Sequence, residues 1–264
     1  MNKTSVMPPL SHRYILGTRV DATSYGDAAA RIVQWAQAGE SRYICACNVH
    51  MVMEAHDVED FQRVVNAADL VTPDGMPLVW VLRRLGLKNQ ARVYGPDLTL
   101  AMCAAAAAAG IPVGLYGGTQ EALDTLQTSY RAQFPQLQIT YAYSPPFRPM
   151  TREEDDAVVQ AINASGARIL FVGLGCPKQE FWVAGHRDRV QAVMLAVGAA
   201  FDFHSARVKQ APQWMQRCGL EWLFRLLMDP RRLWRRYFKN NPRFLWLVTW
   251  QLLGGADNRR VNAN

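Results

Sequence analysis

The chain has 264 residues, half of them hydrophobic and 19% charged, with a formal net charge of +7 at pH 7. This composition excludes a disordered protein, because a chain of this length with so much apolar surface can bury a large core. The five cysteines include no C-x-x-C pair, which excludes a disulfide scaffold and favours a reducing compartment.

Helical patterns alternate with short apolar runs over most of the chain. Thr119 is predicted to cap one helix, and Thr151 and Glu154 have the spacing of a capping box at another. Continuous apolar runs between helices are typical of a parallel sheet with both faces covered. We therefore predict an α/β fold with a mainly parallel, Rossmann-like sheet and helices on both faces. In chain order, the predicted elements are helix 21–39, strand 42–47, helix 58–67, strand 69–72, helices 76–85 and 97–109, strand 111–116, helix 119–134, strand 137–141, helix 151–165, strand 167–172, helix 178–190 and strand 192–197.

The composition changes near residue 205, where a basic and aromatic segment begins. Ten basic and two acidic residues lie between Arg207 and Arg243, so this window carries +8 and the rest of the chain carries −1. Tryptophan and other aromatic residues recur at helical spacing in the same segment. We predict an α/β domain over residues 1–204 and a basic, Trp-rich helical appendage over residues 205–264.

The appendage allows three interpretations at the level of the sequence. Arginine and lysine attract anionic lipid headgroups, and indole rings settle at the headgroup level, which favours binding to a membrane surface. The same residue types bind nucleic acid, and they also occur where aromatic side chains fill a core beneath a solvated charged face. No uninterrupted run of about 18 apolar residues is available to cross a bilayer, so we expect membrane attachment to be peripheral.

Glycines and polar residues follow several of the predicted strands. In open α/β sheets, ligands bind at the carboxyl ends of the strands. Glycines there let a ligand approach the backbone, and the N-termini of the following helices offer free N–H groups to anions. The sequence therefore predicts a site for a diphosphate-bearing ligand. The candidate residues at these strand ends are Asn48, Asp74, Gly117, Gly118, Lys178, Gln179, Glu180 and Asp202.

These strand-end residues also have plainer interpretations. Gly117 and Gly118 suit a turn before a helix cap, and Asp74 lies in the common turn sequence Pro-Asp-Gly. The run from Gly173 to Lys178 fits neither G-x-G-x-x-G nor the Walker pattern, so it does not predict a typical dinucleotide site or P-loop. No group of His, Cys, Asp and Glu has metal-ligand spacing, so the residues predict no metal site.

Several motifs, in a constant order, resemble one known family. In the α/β domain they are Thr72-Pro-Asp-Gly-Met-Pro77, Arg92-Val-Tyr-Gly-Pro-Asp-Leu98, Val172-Gly-Leu-Gly-Cys-Pro-Lys-Gln-Glu180 and Val197-Gly-Ala-Ala-Phe-Asp-Phe203. In the appendage, Gly219-Leu-Glu-Trp-Leu-Phe-Arg225 leads into Pro230-Arg-Arg-Leu-Trp-Arg-Arg-Tyr237. From about residue 14 to residue 250, the chain resembles the WecG/TagA/CpsF family, glycosyltransferase family 26.

The resemblance implies a membrane-associated, inverting glycosyltransferase. Such enzymes move a sugar from a UDP-sugar to the 4-hydroxyl of a sugar carried on polyprenyl diphosphate, during assembly of bacterial surface polysaccharides. It further implies a metal-independent reaction without a cofactor, a peripheral location at the cytoplasmic face of the bacterial inner membrane, and homo-oligomers. The expected partners are the UDP-sugar, the lipid-linked glycan and an anionic membrane surface, with no nucleic acid.

The resemblance also suggests roles for single residues. Asp74 corresponds to the proposed general base, and Asn48 to a residue of the same pocket. Arg92, Gln179 and Asp202 correspond to positions around the nucleotide sugar. The appendage arginines expected to complete the site at the membrane are Arg225, Arg232 and Arg235.

One position departs from the family pattern. Ala46 stands where a threonine is usual, two residues before Asn48. A missing hydroxyl bears on the choice of donor, because one hydrogen-bonding group can change discrimination between sugars strongly.

The stretches 47–54 and 93–98 look most like the branch that adds the second glucose in xanthan-type exopolysaccharide assembly. We therefore expect a hexosyltransferase that uses UDP-glucose and forms a β-1,4 linkage. The alternative within the family is transfer of N-acetylmannosamine or its uronate during synthesis of teichoic acid, common antigen or capsule. A nucleic-acid-binding α/β protein is a more distant alternative, and the missing fingerprint disfavours a nicotinamide-dependent oxidoreductase.

Overall fold

The computed structural model describes residues 7–254, which form an α/β fold around a six-stranded parallel sheet. This architecture confirms the predicted fold class. The strands are β1 (His12–Ile15), β2 (Thr18–Asp21), β3 (Arg42–Cys47), β4 (Leu70–Pro73), β5 (Val113–Gly117), β6 (Ile139–Tyr143), β7 (Ile169–Gly173) and β8 (Val193–Ala196). The helices are α1 (Tyr25–Gln37), α2 (Val49–Asp57), α3 (Glu59–Asn66), α4 (Met76–Arg84), α5 (Gly95–Ala109), α6 (Gln120–Gln133), α7 (Arg152–Ala164), α8 (Lys178–Gly185), α9 (Ala200–His204), α10 (Gln213–Arg217), α11 (Glu221–Met228) and α12 (Pro230–Leu252).

The sheet has the strand order β4-β3-β8-β7-β5-β6, and each neighbouring pair is parallel. β1 and β2 form a separate antiparallel hairpin. The carboxylate of Asp21 accepts a hydrogen bond of 2.7 Å from the Val71 backbone N–H, which ties this hairpin to the edge strand β4. The polar residues that follow the parallel strands consequently come together at one edge of the sheet.

Alternate residues of β3 belong to two different cores, because successive side chains of a strand point to opposite faces. Ile44 packs with residues of α1, α5, α6 and α9 on one face. Cys45 and Cys47 pack with residues of α2, α3, α4, α7, α8 and α12 on the other. Helices thus cover both faces of the sheet, as the apolar runs predicted.

The predicted start of the first helix, 21–39, is wrong. Asp21 is the last residue of β2, and the helix begins only at Tyr25. Ser24 is the N-cap, since its hydroxyl accepts a hydrogen bond of 3.2 Å from the Asp27 N–H. Among the other predicted elements, α8 ends at Gly185 and not at residue 190, and the remaining bounds differ from the structure by at most two residues, as for β6 (Ile139–Tyr143).

Helix α2 was not predicted at all. Met51, Val52 and Met53 are buried in succession, so the segment lacks the one-sided apolar pattern by which a surface helix is recognised. The burial arises because α2 packs in the core on one face of the sheet and also contacts α12.

Both predicted helix caps are confirmed. The Thr119 hydroxyl accepts a hydrogen bond of 3.3 Å from the Ala122 N–H at the start of α6. The Thr151 hydroxyl accepts one of 3.2 Å from the Glu154 N–H, and the Glu154 carboxylate accepts one of 2.9 Å from the Thr151 N–H. This capping box begins α7 where the sequence predicted.

The C-terminal segment forms α10, α11 and α12, and α12 has buried residues in both of its halves. Its second half belongs to the core: Phe244 and Val248 are buried, and Gln251 bonds the backbone of the β1–β2 hairpin. The Arg243 guanidinium forms two hydrogen bonds, of 2.7 and 2.9 Å, with the Asp57 carboxylate. The first half buries Leu233, Tyr237 and Asn240, and both halves expose large apolar side chains, among them Trp234, Phe238, Leu245 and Trp246.

The predicted appendage extends to residue 264, and its residues 255–264 lie outside the described part of the chain. The same holds for residues 1–6 of the predicted α/β domain. Within residues 7–254, none of the helices is both long and apolar enough to span a bilayer.

Candidate active site

Asn48 and Asp74 meet where the neighbouring strands β3 and β4 end. The Asn48 Nδ2 lies 3.5 Å from the Asp74 Oδ2. Asn48 is held in place because it caps α2, with its Oδ1 accepting a hydrogen bond of 3.2 Å from the Met51 N–H. The Asp74 N–H donates a hydrogen bond of 2.8 Å to the Cys47 carbonyl, which keeps the two strand ends together. One amide and one carboxyl therefore lie together at the carboxyl ends of the strands, and the edge of the sheet along these strand ends is called the crevice.

The Asp74 carboxyl is half-buried and faces the N-terminus of α5. Its Oδ1 accepts a hydrogen bond of 3.1 Å from the Gly95 N–H. Burial raises the pKa of Asp74 to about 6, although the Arg92 charge and the bonds from Gly95 and Asn48 act in the opposite direction. A carboxyl that ionises near pH 6 can serve as a proton acceptor at neutral pH.

Arg92 connects Asp74 with the C-terminal segment. Its Nε donates to the Asp74 backbone carbonyl, and its Nη2 lies 3.8 Å from the Asp74 Oδ1. The same Nη2 donates a hydrogen bond of 2.6 Å to the Glu221 Oε2 on α11. Its Nη1 lies 3.4 Å from the Gln216 Oε1, and the guanidinium stacks 3.9 Å from the centre of the Tyr94 ring. Each nitrogen of the guanidinium therefore already has a protein acceptor.

Glu221 and Tyr94 were missed as site residues by the sequence analysis. The Tyr94 hydroxyl donates a hydrogen bond of 3.0 Å to the Glu221 Oε1, so both oxygens of this carboxylate are engaged. The charge pattern could have identified Glu221, because it is one of only two acidic residues in the +8 window. An acidic residue in such a basic segment is a candidate partner for an arginine.

The side chain of Gln179 joins the loops that follow β7 and β8. Its Oε1 accepts a hydrogen bond of 3.1 Å from the Gly175 N–H. A Cβ placed on Gly198, after β8, would lie 3.2 Å from the same oxygen, so the amide fits closely against that glycine. Lys178, the first residue of α8, is exposed beside this loop.

Glu180 is buried and binds the side chain of Gln179. Its Oε1 accepts a hydrogen bond of 2.7 Å from the Gln179 Nε2. The side chain is fully buried, and burial raises its pKa to about 7. Its Oε2 has no hydrogen-bond partner among residues 7–254. The carboxyl is therefore enclosed by protein and does not line an open surface.

The turn after β5 needs glycine for steric reasons. A Cβ on Gly117, whose φ is +119°, would lie 2.5 Å from the Gly173 carbonyl oxygen. Gly118 has a φ of +69° and donates a hydrogen bond of 3.1 Å to the same carbonyl. The turn leads to the N-terminus of α6, where Arg207 Nη1 donates a hydrogen bond of 3.0 Å to the Thr119 hydroxyl. Arg207 is thus a second cation at the crevice that sequence analysis did not single out.

Arg225 is the predicted appendage arginine that the structure brings towards Asp74. Its guanidinium carbon lies 5.3 Å from the centre of the Phe203 ring. The Phe203 and Tyr94 ring centres are 6.4 Å apart, and Arg225 lies four residues after Glu221 on α11, on the same face of that helix. Asp202 precedes Phe203 on α9 and is half-buried.

Arg232 and Arg235 make their contacts within the appendage. Arg232 forms an ion pair of 2.6 Å with Asp229, at the start of α12. Arg235 is exposed, with its guanidinium carbon 5.4 Å from the centre of the Trp234 ring. These contacts leave both arginines outside the cluster around Asp74.

Ala46 lies next to the backbone that binds Asp74. A Cβ placed on Gly95 would be 3.4 Å from the Cβ of Ala46, and Ala46 is buried. A larger side chain at position 46 would therefore lie close to Gly95, the residue whose N–H binds the Asp74 carboxyl.

The candidate residues are spread over a long edge. From β4 to β5 the sheet covers four strand spacings, or about 19 Å, which suits an extended ligand. Within residues 7–254, His, Cys, Asp and Glu side chains form no group of three or more that could hold a metal ion. The family model described as glycosyl transferase WecG/TagA/CpsF family matches residues 13–258, and so includes both Asp74 and α12.

Proposed function

The chain belongs to the WecG/TagA/CpsF family of glycosyltransferases, and we propose that it transfers a hexose from a UDP-sugar to a sugar carried on polyprenyl diphosphate. Membership of this family implies a sugar-nucleotide donor and a glycan acceptor. We further propose that the reaction inverts the anomeric carbon and needs neither metal nor cofactor.

The Asp74 carboxyl carries this proposal. It lies at a strand end, and burial raises its pKa to about 6, so it is mostly ionised at pH 7. We infer that it removes the proton from the attacking hydroxyl. The acceptor oxygen then bonds to the anomeric carbon from the face opposite the leaving group. The bond from that carbon to the UDP oxygen breaks, UDP keeps the electron pair, and the proton remains on Asp74.

Departure of UDP requires positive charge along the crevice. We infer that Arg225, which contacts Phe203, and Arg207, at the N-terminus of α6, contribute guanidinium groups. Backbone N–H groups after β5 and β7 offer further donors to the diphosphate. We propose that these groups, together with Lys178, stabilise the leaving group.

A lipid-linked acceptor requires the crevice to lie near a membrane. The first half of α12 exposes Trp234 and Phe238, with Arg231 and Arg235 on the same helix. Exposed aromatic rings beside arginines suit the interfacial region of an anionic bilayer. We therefore propose that the protein binds peripherally to the cytoplasmic face of the bacterial inner membrane through this helix.

Replacing Trp234 and Phe238 together by alanine should weaken binding to anionic vesicles at least tenfold, since each large ring contributes about 1.5–3 kcal/mol on burial. Co-sedimentation with vesicles of anionic lipid measures the effect. Phe147→Ala is the matched control, because Phe147 is a 91% exposed aromatic residue on the loop after β6, outside the appendage. Equal loss of binding in the control variant would contradict a role for α12.

Position 46 bears on the identity of the donor sugar. Ala46 lacks the hydroxyl usual in the family, and it lies beside Gly95 and Asp74. We propose UDP-glucose as the donor, a β-1,4 linkage as the product and exopolysaccharide assembly as the role. Transfer of N-acetylmannosamine or its uronate is the alternative within the family.

The experiment that tests the function offers a panel of UDP-sugars to the full chain. The acceptor is a short-chain lipid diphosphate carrying glucose or N-acetylglucosamine, and release of UDP is measured. We expect turnover with UDP-glucose and little with UDP-N-acetylmannosamine. The reverse preference would favour the alternative, and no release with any donor, in the presence of anionic vesicles, would contradict the proposed function.

A further inference from the structure

Arg92 lies between two carboxylates at unequal distances. Its Nη2 is 2.6 Å from the Glu221 Oε2 and 3.8 Å from the Asp74 Oδ1. Only the shorter contact is a charge-assisted hydrogen bond, because the longer one exceeds hydrogen-bond range. The Nη2 of Arg92 therefore bonds Glu221, and its charge acts on the Asp74 carboxylate without a hydrogen bond between the two side chains.

We propose that Glu221 is a positioning residue, which holds the Arg92 guanidinium off Asp74 and so keeps this carboxylate available to accept a proton. The inference rests on the proposed role of Asp74 as general base. It gives the C-terminal segment a function in the chemistry that is separate from membrane binding, because Glu221 is the first residue of α11.

The geometry fixes Glu221 firmly enough for this role. Its second oxygen accepts a hydrogen bond of 3.0 Å from the Tyr94 hydroxyl, and the Tyr94 ring lies under the Arg92 guanidinium. The Arg92 Nε is anchored on the Asp74 carbonyl. With this anchor kept, loss of the Glu221 charge leaves Nη2 free to move about 1 Å and bond Asp74 directly, at the usual ion-pair distance of about 2.8 Å.

Other polar groups face Asp74 from several elements. Tyr25 on α1, Tyr94 before α5 and Cys47 on β3 have their pKa raised, chiefly by burial, so they remain neutral at physiological pH. Asn48 and the Gly95 N–H donate without carrying charge. The charged side chains with the largest effects on the Asp74 pKa are Arg92, which lowers it, and Glu221, which raises it.

The test compares three full-length proteins, the wild type, Glu221→Gln and Asp229→Asn. Asp229 is the other acid of the +8 window and pairs with Arg232, so its variant loses the same charge from the same segment without touching Arg92. Asparagine caps a helix about as well as aspartate, so α12 is preserved.

Two measurements are made on each protein. The first is the pH profile of kcat/KM, taken from UDP release. The second is the titration of the Asp74 carboxyl by carbon NMR without substrate, with the resonance identified by its loss in Asp74→Asn. In Glu221→Gln we expect the Asp74 pKa and the acid limb of the profile to fall by about one pH unit, since a directly paired aspartate titrates lower. The Asp229→Asn protein should titrate as the wild type does.

A second variant separates positioning from a structural role. Arg92→Gln combined with Glu221→Gln removes both charges, so the Asp74 pKa should return to the wild-type value or rise above it. This reversal also serves if Glu221→Gln alone folds poorly, since the double variant does not leave the Arg92 guanidinium without its Glu221 partner. A simple packing role for Glu221 would give no such reversal.

The outcomes distinguish this inference from the proposed function. An unchanged Asp74 titration in Glu221→Gln overturns the positioning role, whatever the activity. Full turnover by Asp74→Asn instead overturns Asp74 as base, and with it the proposed chemistry.

Discussion

Asp74→Asn should lower kcat about 10²–10⁴-fold, the usual contribution of a general base. Asparagine keeps the shape of the side chain and can still accept from the Gly95 N–H through its Oδ1. It cannot take a proton from the attacking hydroxyl at neutral pH. Steady-state UDP release measures the loss, and calorimetric titration with UDP should show that nucleotide binding is retained.

The stability of the same variant provides its control. Burial raises the pKa of Asp74 from 3.8 to about 6 in the folded protein, so the folded state binds the proton more tightly than the unfolded state does. The protein therefore loses stability as the pH rises from about 4 through 6. At pH 7 a neutral amide avoids this cost, so Asp74→Asn should melt no lower than the wild type. A large drop in Tm would mean that lost activity reflects unfolding.

Phe244→Ala should be the most destabilising single change in α12. Phe244 is 2% exposed and packs in the core shared by α2, α3, α8 and the hairpin side of the sheet. Truncating a buried phenylalanine costs about 3–5 kcal/mol, from lost burial and the remaining cavity. For a chain of this size, Tm should fall by roughly 6–20 °C, as measured by thermal unfolding followed by circular dichroism.

Leu245→Ala is the matched control for this variant. Leu245 follows Phe244 on the same helix but is 63% exposed, so its truncation should change the unfolding free energy by less than about 0.5 kcal/mol. Equal destabilisation by the two variants would contradict the packing of α12 on the sheet domain. The same packing means that removing the chain beyond residue 205 would uncover core surface as well as any membrane-binding surface.

The sheet could be predicted from the sequence because most of its strands are short, largely apolar runs between helical segments. Helix α2 could not, since burial of Met51, Val52 and Met53 in succession removes the amphipathic period. The β1–β2 hairpin was missed because each of its strands has only four residues. It is held in place by the hydrogen bond from the Val71 N–H to Asp21, which joins residues far apart in the chain.

The site was predictable in part. Asn48 and Asp74 follow neighbouring strands, and the topology of a parallel sheet brings such residues together. The partner of Arg92 was not predictable, because Glu221 lies 129 positions further along the chain. Periodicity and local motifs reveal secondary structure, but an ion pair between distant segments depends on how the C-terminal helices fold back over the sheet.

The two halves of α12 are parts of one 23-residue helix, about 35 Å long. Its second half is held against the sheet domain by Phe244, Val248 and Gln251, and its first half buries Leu233, Tyr237 and Asn240, so the orientation of the helix relative to the sheet is fixed. If its exposed aromatic face rests on a bilayer, the tilt of the whole molecule and the height of Asp74 above the lipid are set together. A fixed height of Asp74 above the membrane would select acceptors by the distance between their sugar and the lipid surface.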